Sequence, residues 1–281
     1  ETLKHIQFIS QLIFSFAVEG DHGDTSQNYE NYFIKKPWWT QKLCARERLE
    51  LLEYNLAQMD KKFESKNPSA FERERHKLRK MLQHLANDFD YSDLDIVEIS
   101  AMVGSGKTFA GLITALKLAM KYGLGKIIYV SPLNSPGIQT ADVCRKNVVY
   151  DYENKEFVVG EHYHDTDYFQ KAKNTGADVG GVKTMATLWS TPFVISSFEQ
   201  FCMTIGAASP RVCRKYYSLI SSVIIVDEYQ CIPEHIANQM MRWIAYAAKY
   251  LNCKFVFMSG TPSKVWDTWL VNKEYRDALT I

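Results

Sequence analysis

The stretch Ile96-Val97-Glu98-Ile99-Ser100-Ala101-Met102-Val103-Gly104-Ser105-Gly106-Lys107-Thr108, running on into Phe109-Ala110-Gly111-Leu112-Ile113, constrains the fold of this 281-residue chain most. An apolar run, a tight turn with two glycines and an amphipathic run read as strand, loop and helix. That arrangement lets backbone N–H groups and a helix N-terminus wrap a chain of phosphates. Gly104 and Gly106 permit the close approach, and Val103, Ser105, Lys107 and Thr108 complete the cradle. Lys107 is placed to meet the β- and γ-phosphates of a nucleoside triphosphate and Thr108 to hold Mg²⁺. Ala101 stands where the usual phosphate-loop pattern begins with glycine, so the strict signature is missed by one residue.

A second strand-like run ends in two adjacent carboxylates: Ile224-Ile225-Val226-Asp227-Glu228-Tyr229-Gln230. Ligands of open α/β sheets bind at the C-terminal ends of the strands, and this pair is delivered to such an end. Downstream of a phosphate loop, Asp227 reads as the holder of Mg²⁺ and Glu228 as the group that orients and deprotonates an attacking water. A third run, Phe255-Val256-Phe257-Met258, ends at Ser259-Gly260-Thr261-Pro262, a sequence that is by itself only a turn.

From Asp95 onward the chain alternates strand-like and helix-like runs, with further strands at 126–130 and 193–195. This predicts βαβ units and a parallel sheet flanked by helices on both faces. The part before it is all-helical. Leu3 to Val18 carries helical spacing that Glu19-Gly20-Asp21-His22-Gly23-Asp24 is expected to end. Leu49, Leu52, Leu56, Met59 and Phe63 mark one helix, broken at Asn67-Pro68-Ser69, and Phe71 to Phe89 marks its return. Between the first helical stretch and Leu49, Lys35-Lys36-Pro37-Trp38-Trp39 reads as a stiff linker. Residues 149–190 are polar and aperiodic and read as a long excursion loop. There Glu161, His162, His164, Asp165 and Asp167 are taken as loop residues rather than metal ligands.

Lys and Arg total 33 against 32 Asp and Glu, a net charge of +1 that excludes a grossly basic nucleic-acid binder but not a local basic groove. No apolar run approaches the ~18 residues of a membrane span. The six cysteines lack any Cys-x-x-Cys pairing and suit a reducing cytoplasm.

Taken together these stretches resemble superfamily-2 helicases. The strand-GSGKT-helix stands for motif I, Asp227-Glu228-Tyr229-Gln230 for a DExQ form of motif II, and Ser259-Gly260-Thr261 for the Ser-Ala-Thr motif that couples hydrolysis to strand movement. Ser131-Pro132-Leu133 with Gln139 fits motif Ia, and Ser196-Ser197-Phe198-Glu199-Gln200-Phe201 fits motif Ib. The chain is more closely similar to the CRISPR-associated helicase–nuclease of type I systems, through Lys126 to Pro132, Gln139 to Val143, Glu161 to His164, Trp189 to Gln200 and Arg211 to Leu219.

This resemblance implies a RecA-like helicase lobe over 93–281, a linker with a helical pair over 35–92, and the end of an HD nuclease domain over 1–34. It implies ATP and Mg²⁺ at the helicase site and catalytic roles for Lys107, Asp227, Glu228 and Gln230. Pro132, Gln139, Ser197 and Gln200 would contact single-stranded DNA, and an RNA-guided surveillance complex would be the partner. Asp21 would ligate a divalent transition metal of the nuclease. On the residues alone it reads equally as a loop or helix-capping carboxylate. The remaining nuclease ligands are expected upstream of Glu1 and a second helicase lobe beyond Ile281. The rival expectation is a docking module gated by nucleotide without processive movement.

Overall fold

The computed structural model describes residues 2–25, 43–132, 134–153, 155–162, 184–206 and 209–261. The apolar runs form strands β1 (Ile96–Ser100), β2 (Lys126–Ser131), β3 (Val159–His162), β4 (Phe193–Ser197), β5 (Ser222–Val226) and β6 (Lys254–Ser259). They pair in parallel in the order β1-β6-β5-β2-β4-β3. Parallel pairing needs crossovers, and most of those here are helical. The helices are α1 (Thr2–Thr25), α2 (Ala45–Glu64), α3 (Ala70–Asp88), α4 (Lys107–Tyr122), α5 (Asn134–Asn147), α6 (Lys155–Val158), α7 (Phe198–Ile205), α8 (Pro210–Cys213) and α9 (Glu234–Leu251).

Side chains alternate along each strand, so both faces of the sheet are apolar. Ile127, Tyr129, Phe193, Ile195, Val223, Ile225, Val256 and Met258 pack with α2, α4 and α5. Ile128, Val130, Val194, Ile224, Val226, Phe255 and Phe257 pack with α7, α9 and Phe8 of α1. The helical pair α2–α3 therefore belongs to the layer over the first face, where Leu49, Leu52 and Leu56 are buried. Ser69 and Glu72 form a capping box at the start of α3, with Glu72 N–H donating to Ser69 Oγ at 3.3 Å and Ser69 N–H to Glu72 Oε2 at 2.8 Å.

Two expectations are corrected. The helix α1 does not stop at Val18 but runs to Thr25. Two glycines weaken a helix by about 1 kcal/mol each, yet no proline interrupts it. It is anchored through Phe8, which packs against Tyr216 and Tyr246, and through buried Ser15, which donates to Cys213 O at 2.5 Å. The second correction is β3, which lies inside the expected loop, so Glu161 and His162 are strand residues. Glu161 is buried and paired with Arg145, and His162 Nδ1 accepts from Trp189 Nε1 at 3.1 Å. Residues Lys35, Lys36, Trp38, Trp39, His164, Asp165 and Asp167 lie outside the described residues, as do Leu133 and Pro262. Among the described residues no helix is long and apolar enough to cross a membrane.

Candidate active site

All the strands point their C-terminal ends to one edge, and the chemistry-bearing segments gather there. After β1, Ala101 N–H donates to Ser259 O at 3.1 Å and Ser105 N–H closes a turn on Met102 O at 3.2 Å. Gly104 (φ 78°) and Gly106 (φ 88°) take the left-handed backbone that glycine alone enters without strain. Gly106 caps α4, whose first residue is Lys107, so the positive end of the helix dipole and its free N–H groups face the edge.

The carboxylates arrive from β5, with β6 lying between that strand and β1. The approach of Glu228 to Lys107 therefore spans one intervening strand. Lys107 Nζ lies 3.1 Å from Glu228 Oε1. Gln230 Nε2 donates to Glu228 Oε2 at 2.5 Å, and the Gly260 N–H also bonds Glu228. Burial alone would raise the Glu228 pKa, but the hydrogen bonds from Gln230 and Lys107 outweigh it and hold it below the usual range. Glu228 itself sits at φ 48°, an unfavourable conformation for a residue with a side chain. The turn is pinned by Tyr229, which is buried and whose hydroxyl bonds Glu98 on β1.

Asp227 differs from its neighbour. Its N–H continues the sheet by donating to Val130 O at 2.9 Å, its Oδ1 accepts the Glu228 N–H at 2.9 Å, and its Oδ2 accepts the Tyr129 hydroxyl at 2.5 Å. Burial lifts its pKa above the usual aspartate value despite the hydrogen bond from Tyr129.

These groups line a cavity of about 630 Å³ with Val103, Gly104, Gly106, Lys107, Thr108, Gln139, Asp227 and Glu228 on its walls. Its other wall was not foreseen. It comes from α2 and α3, where Phe63 stacks on His76 at 4.2 Å, Arg75 Nε donates to Gly104 O at 3.2 Å, and Arg79 pairs with Asp60. The i, i+4 spacing of Arg75 and Arg79 was visible in the sequence, but a charged helix face ordinarily faces solvent. A Cβ on Gly104 would stand 2.4 Å from Arg75 Nη2, so the loop glycines also admit this wall.

The remaining expected residues lie along the same edge. Pro132 follows β2, and Gln139 is exposed on α5. Ser197 caps α7 by accepting Gln200 N–H at 3.3 Å, and Gln200 Oε1 accepts from buried Lys215 at 3.0 Å. Ser259 Oγ bonds Thr261 through both its O and its N–H, the latter at 3.2 Å. Asp21 is the exception: it lies on α1, and its side chain is outside the described residues.

A sequence profile of the DEAD/DEAH box helicase family matches residues 79–268. The chain belongs to that family. As in the sequence resemblance, its helicase domain embraces the phosphate loop, the carboxylate pair and the β6 corner. No curated protein sequence matches the chain. Among solved structures, T. fusca Cas3-AMPPNP aligns with a TM-score of 0.54 and 18% identity over 73% of this chain and 23% of that one. T. fusca Cas3-ADP aligns with a TM-score of 0.55 and 20% identity over 74% and 23%. At these identities the likeness is one of fold: a RecA-like helicase domain spanning under a quarter of the length of those chains.

Proposed function

We propose that this DEAD/DEAH box domain is the first lobe of an ATP-driven single-stranded DNA translocase. In this reading 93–281 is the lobe, 35–92 a helical linker and 1–34 the end of an HD nuclease domain. The enzyme would be cytoplasmic and degrade foreign DNA marked by an RNA-guided CRISPR surveillance complex. The observation that carries the ATPase reading is the approach of Lys107 Nζ to Glu228 Oε1, 3.1 Å apart over a cavity walled by the glycine loop.

The loop N–H groups from Val103 to Thr108 and the N-terminus of α4 take the phosphates, and Lys107 neutralises them. Glu228 accepts the proton of the attacking water, with Gln230 holding its carboxylate in place. Thr108 and Asp227 offer a hydroxyl and a carboxylate, the hard oxygen donors that suit Mg²⁺. When bound, Mg²⁺ offsets charge building on the β- and γ-phosphates. Pro132, Gln139, Ser197 and Gln200 would hold one DNA strand, and Ser259, Gly260 and Thr261 would link that strand to the nucleotide. Asp21 would serve the divalent transition metal of the nuclease.

The test is ATP turnover by the full-length protein with and without single-stranded DNA. Stimulation by DNA, lost in Lys107→Ala, supports a motor. Turnover indifferent to DNA would leave only a nucleotide-gated docking module, and turnover unaffected by Lys107→Ala would overturn the site.

A further inference from the structure

Tyr129 stands in the middle of β2, paired on both sides by β4 and β5, and is fully buried. Strand alternation explains why an apolar ring points from this position into the α4–α5 layer. It does not explain a hydroxyl, since phenylalanine would fill the same volume, and a buried hydroxyl costs stability unless it is bonded. Here the hydroxyl has three partners from three segments. It donates to Asp227 Oδ2 at 2.5 Å, and the hydroxyls of Thr108 and Thr140 lie close enough to interact with the same phenol. Thr108 is in the first turn of α4, Asp227 follows β5, and Thr140 is a buried residue of α5.

Two of those partners are the oxygen donors assigned above to the divalent cation. The phenol therefore sits directly behind both of them, on the side away from the cavity, whose walls include Thr108 and Asp227 but not Tyr129. Hydrogen bonds from behind set the rotamer of a ligating carboxylate and are part of what tunes a cation site. The backbone cannot do this alone. The Glu228 N–H reaches only Oδ1, and rotation of the carboxylate about that contact is stopped by the bond to Oδ2.

We propose that Tyr129 is a positioning residue for the divalent cation of the nucleotide site, aligning Asp227 and Thr108 through one shared hydroxyl that Thr140 anchors from α5. This rests on the ATPase reading of the site. Its role is to hold two ligands in register, and it contacts neither nucleotide nor cation.

The experiment replaces Mg²⁺ with Mn²⁺ and follows cation binding to the full-length protein by electron paramagnetic resonance, in the presence of a non-hydrolysable ATP analogue. Tyr129→Phe is expected to weaken Mn²⁺ binding about tenfold, the lower end of the loss seen when a partner behind a ligand is removed. Affinity for the analogue without metal is expected to stay within about twofold, because the loop and Lys107 are untouched. A general disturbance of the fold would weaken both measurements together, and that outcome overturns the proposal. So does unchanged Mn²⁺ affinity.

Thr140→Val provides the second variant should Tyr129→Phe not fold. It removes an anchor of the phenol and is expected to weaken Mn²⁺ binding about threefold, with unchanged affinity again overturning the proposal. If wild-type protein shows no nucleotide-dependent Mn²⁺ binding, the ATPase reading fails. If wild type binds and both variants match it, only the role of Tyr129 fails.

Discussion

Arg48 on α2 grips Glu153 with both ends of its guanidinium, Nη2 to Oε1 at 2.8 Å and Nη1 to Oε2 at 3.0 Å. The same side chain donates to Val148 O at 2.6 Å and Leu43 O at 2.8 Å, so one buried arginine ties the helical pair to the segment after α5. Arg48→Met would leave two carbonyls and a largely buried carboxylate without this donor. Removing one partner of a buried pair costs about 3–5 kcal/mol, and the residual 21% exposure of Glu153 reduces that. The expected loss is about 2 kcal/mol, read as a fall in melting temperature of about 5 °C. A change below one degree would show that α2 is held without the pair.

Lys126 supplies a pH prediction. Burial pushes its ammonium down to about 7, and the amine donates to Trp189 O. Between about 7 and the ordinary lysine value of 10.5 the unfolded chain carries a proton that the native state lacks. Raising the pH through that window therefore favours the folded state. Relative to Lys126→Met, wild type is expected to gain about 1–2 kcal/mol between pH 7 and 9 in denaturant titrations. A flat difference would refute the depressed value.

Glu228→Gln and Lys107→Ala should separate chemistry from binding. Loss of the base is expected to lower ATP turnover about 10²–10⁴-fold while a fluorescent ATP analogue still binds. Loss of Lys107 removes a charge that faces the phosphates, lowering turnover by about 10²–10³-fold and weakening binding as well. Equal behaviour of the two variants in the binding assay would contradict the separate roles.

Gly111 tests the contact between α4 and the sheet. In an exposed helix, Gly→Ala stabilises by about 1 kcal/mol. Here an added Cβ would stand 2.4 Å from the sulfur of Met258, a fully buried residue of β6. Overpacking costs about 1–3 kcal/mol, so Gly111→Ala is expected to destabilise by about 1 kcal/mol. Adding Met258→Ala should make the introduced methyl favourable, giving a double-mutant coupling of about 1 kcal/mol or more.

What could be read in advance depended on local signals. The helix Lys107–Tyr122 was legible to the residue because Gly106 and Gly123, both at positive φ, punctuate its two ends. The break at Asn67-Pro68-Ser69 was legible for the same reason, through proline and a capping box. The strand β3 was not, because Val159-Gly160-Glu161-His162 has neither apolar run nor clean alternation. Its glycine is there for Thr191, whose Oγ1 would be 2.6 Å from an added Cβ, and its glutamate is compensated by Arg145 from a different element. Within the site, the glycine loop and carboxylate pair carry their own spacing. Tyr129 looked like any core strand residue, and Phe63, His76, Arg75 and Arg79 looked like an ordinary charged hairpin, because only the tertiary arrangement brings them to the cavity.

The corner after β6 touches both halves of the site through main-chain atoms: Ser259 O receives the Ala101 N–H, and the Gly260 N–H reaches Glu228. Alanine scanning deletes neither bond, so a survey of side chains would score this corner as nearly silent. An amide-to-ester replacement at residue 260, which strips the donor and spares every side chain, is the kind of change that would expose what the corner contributes.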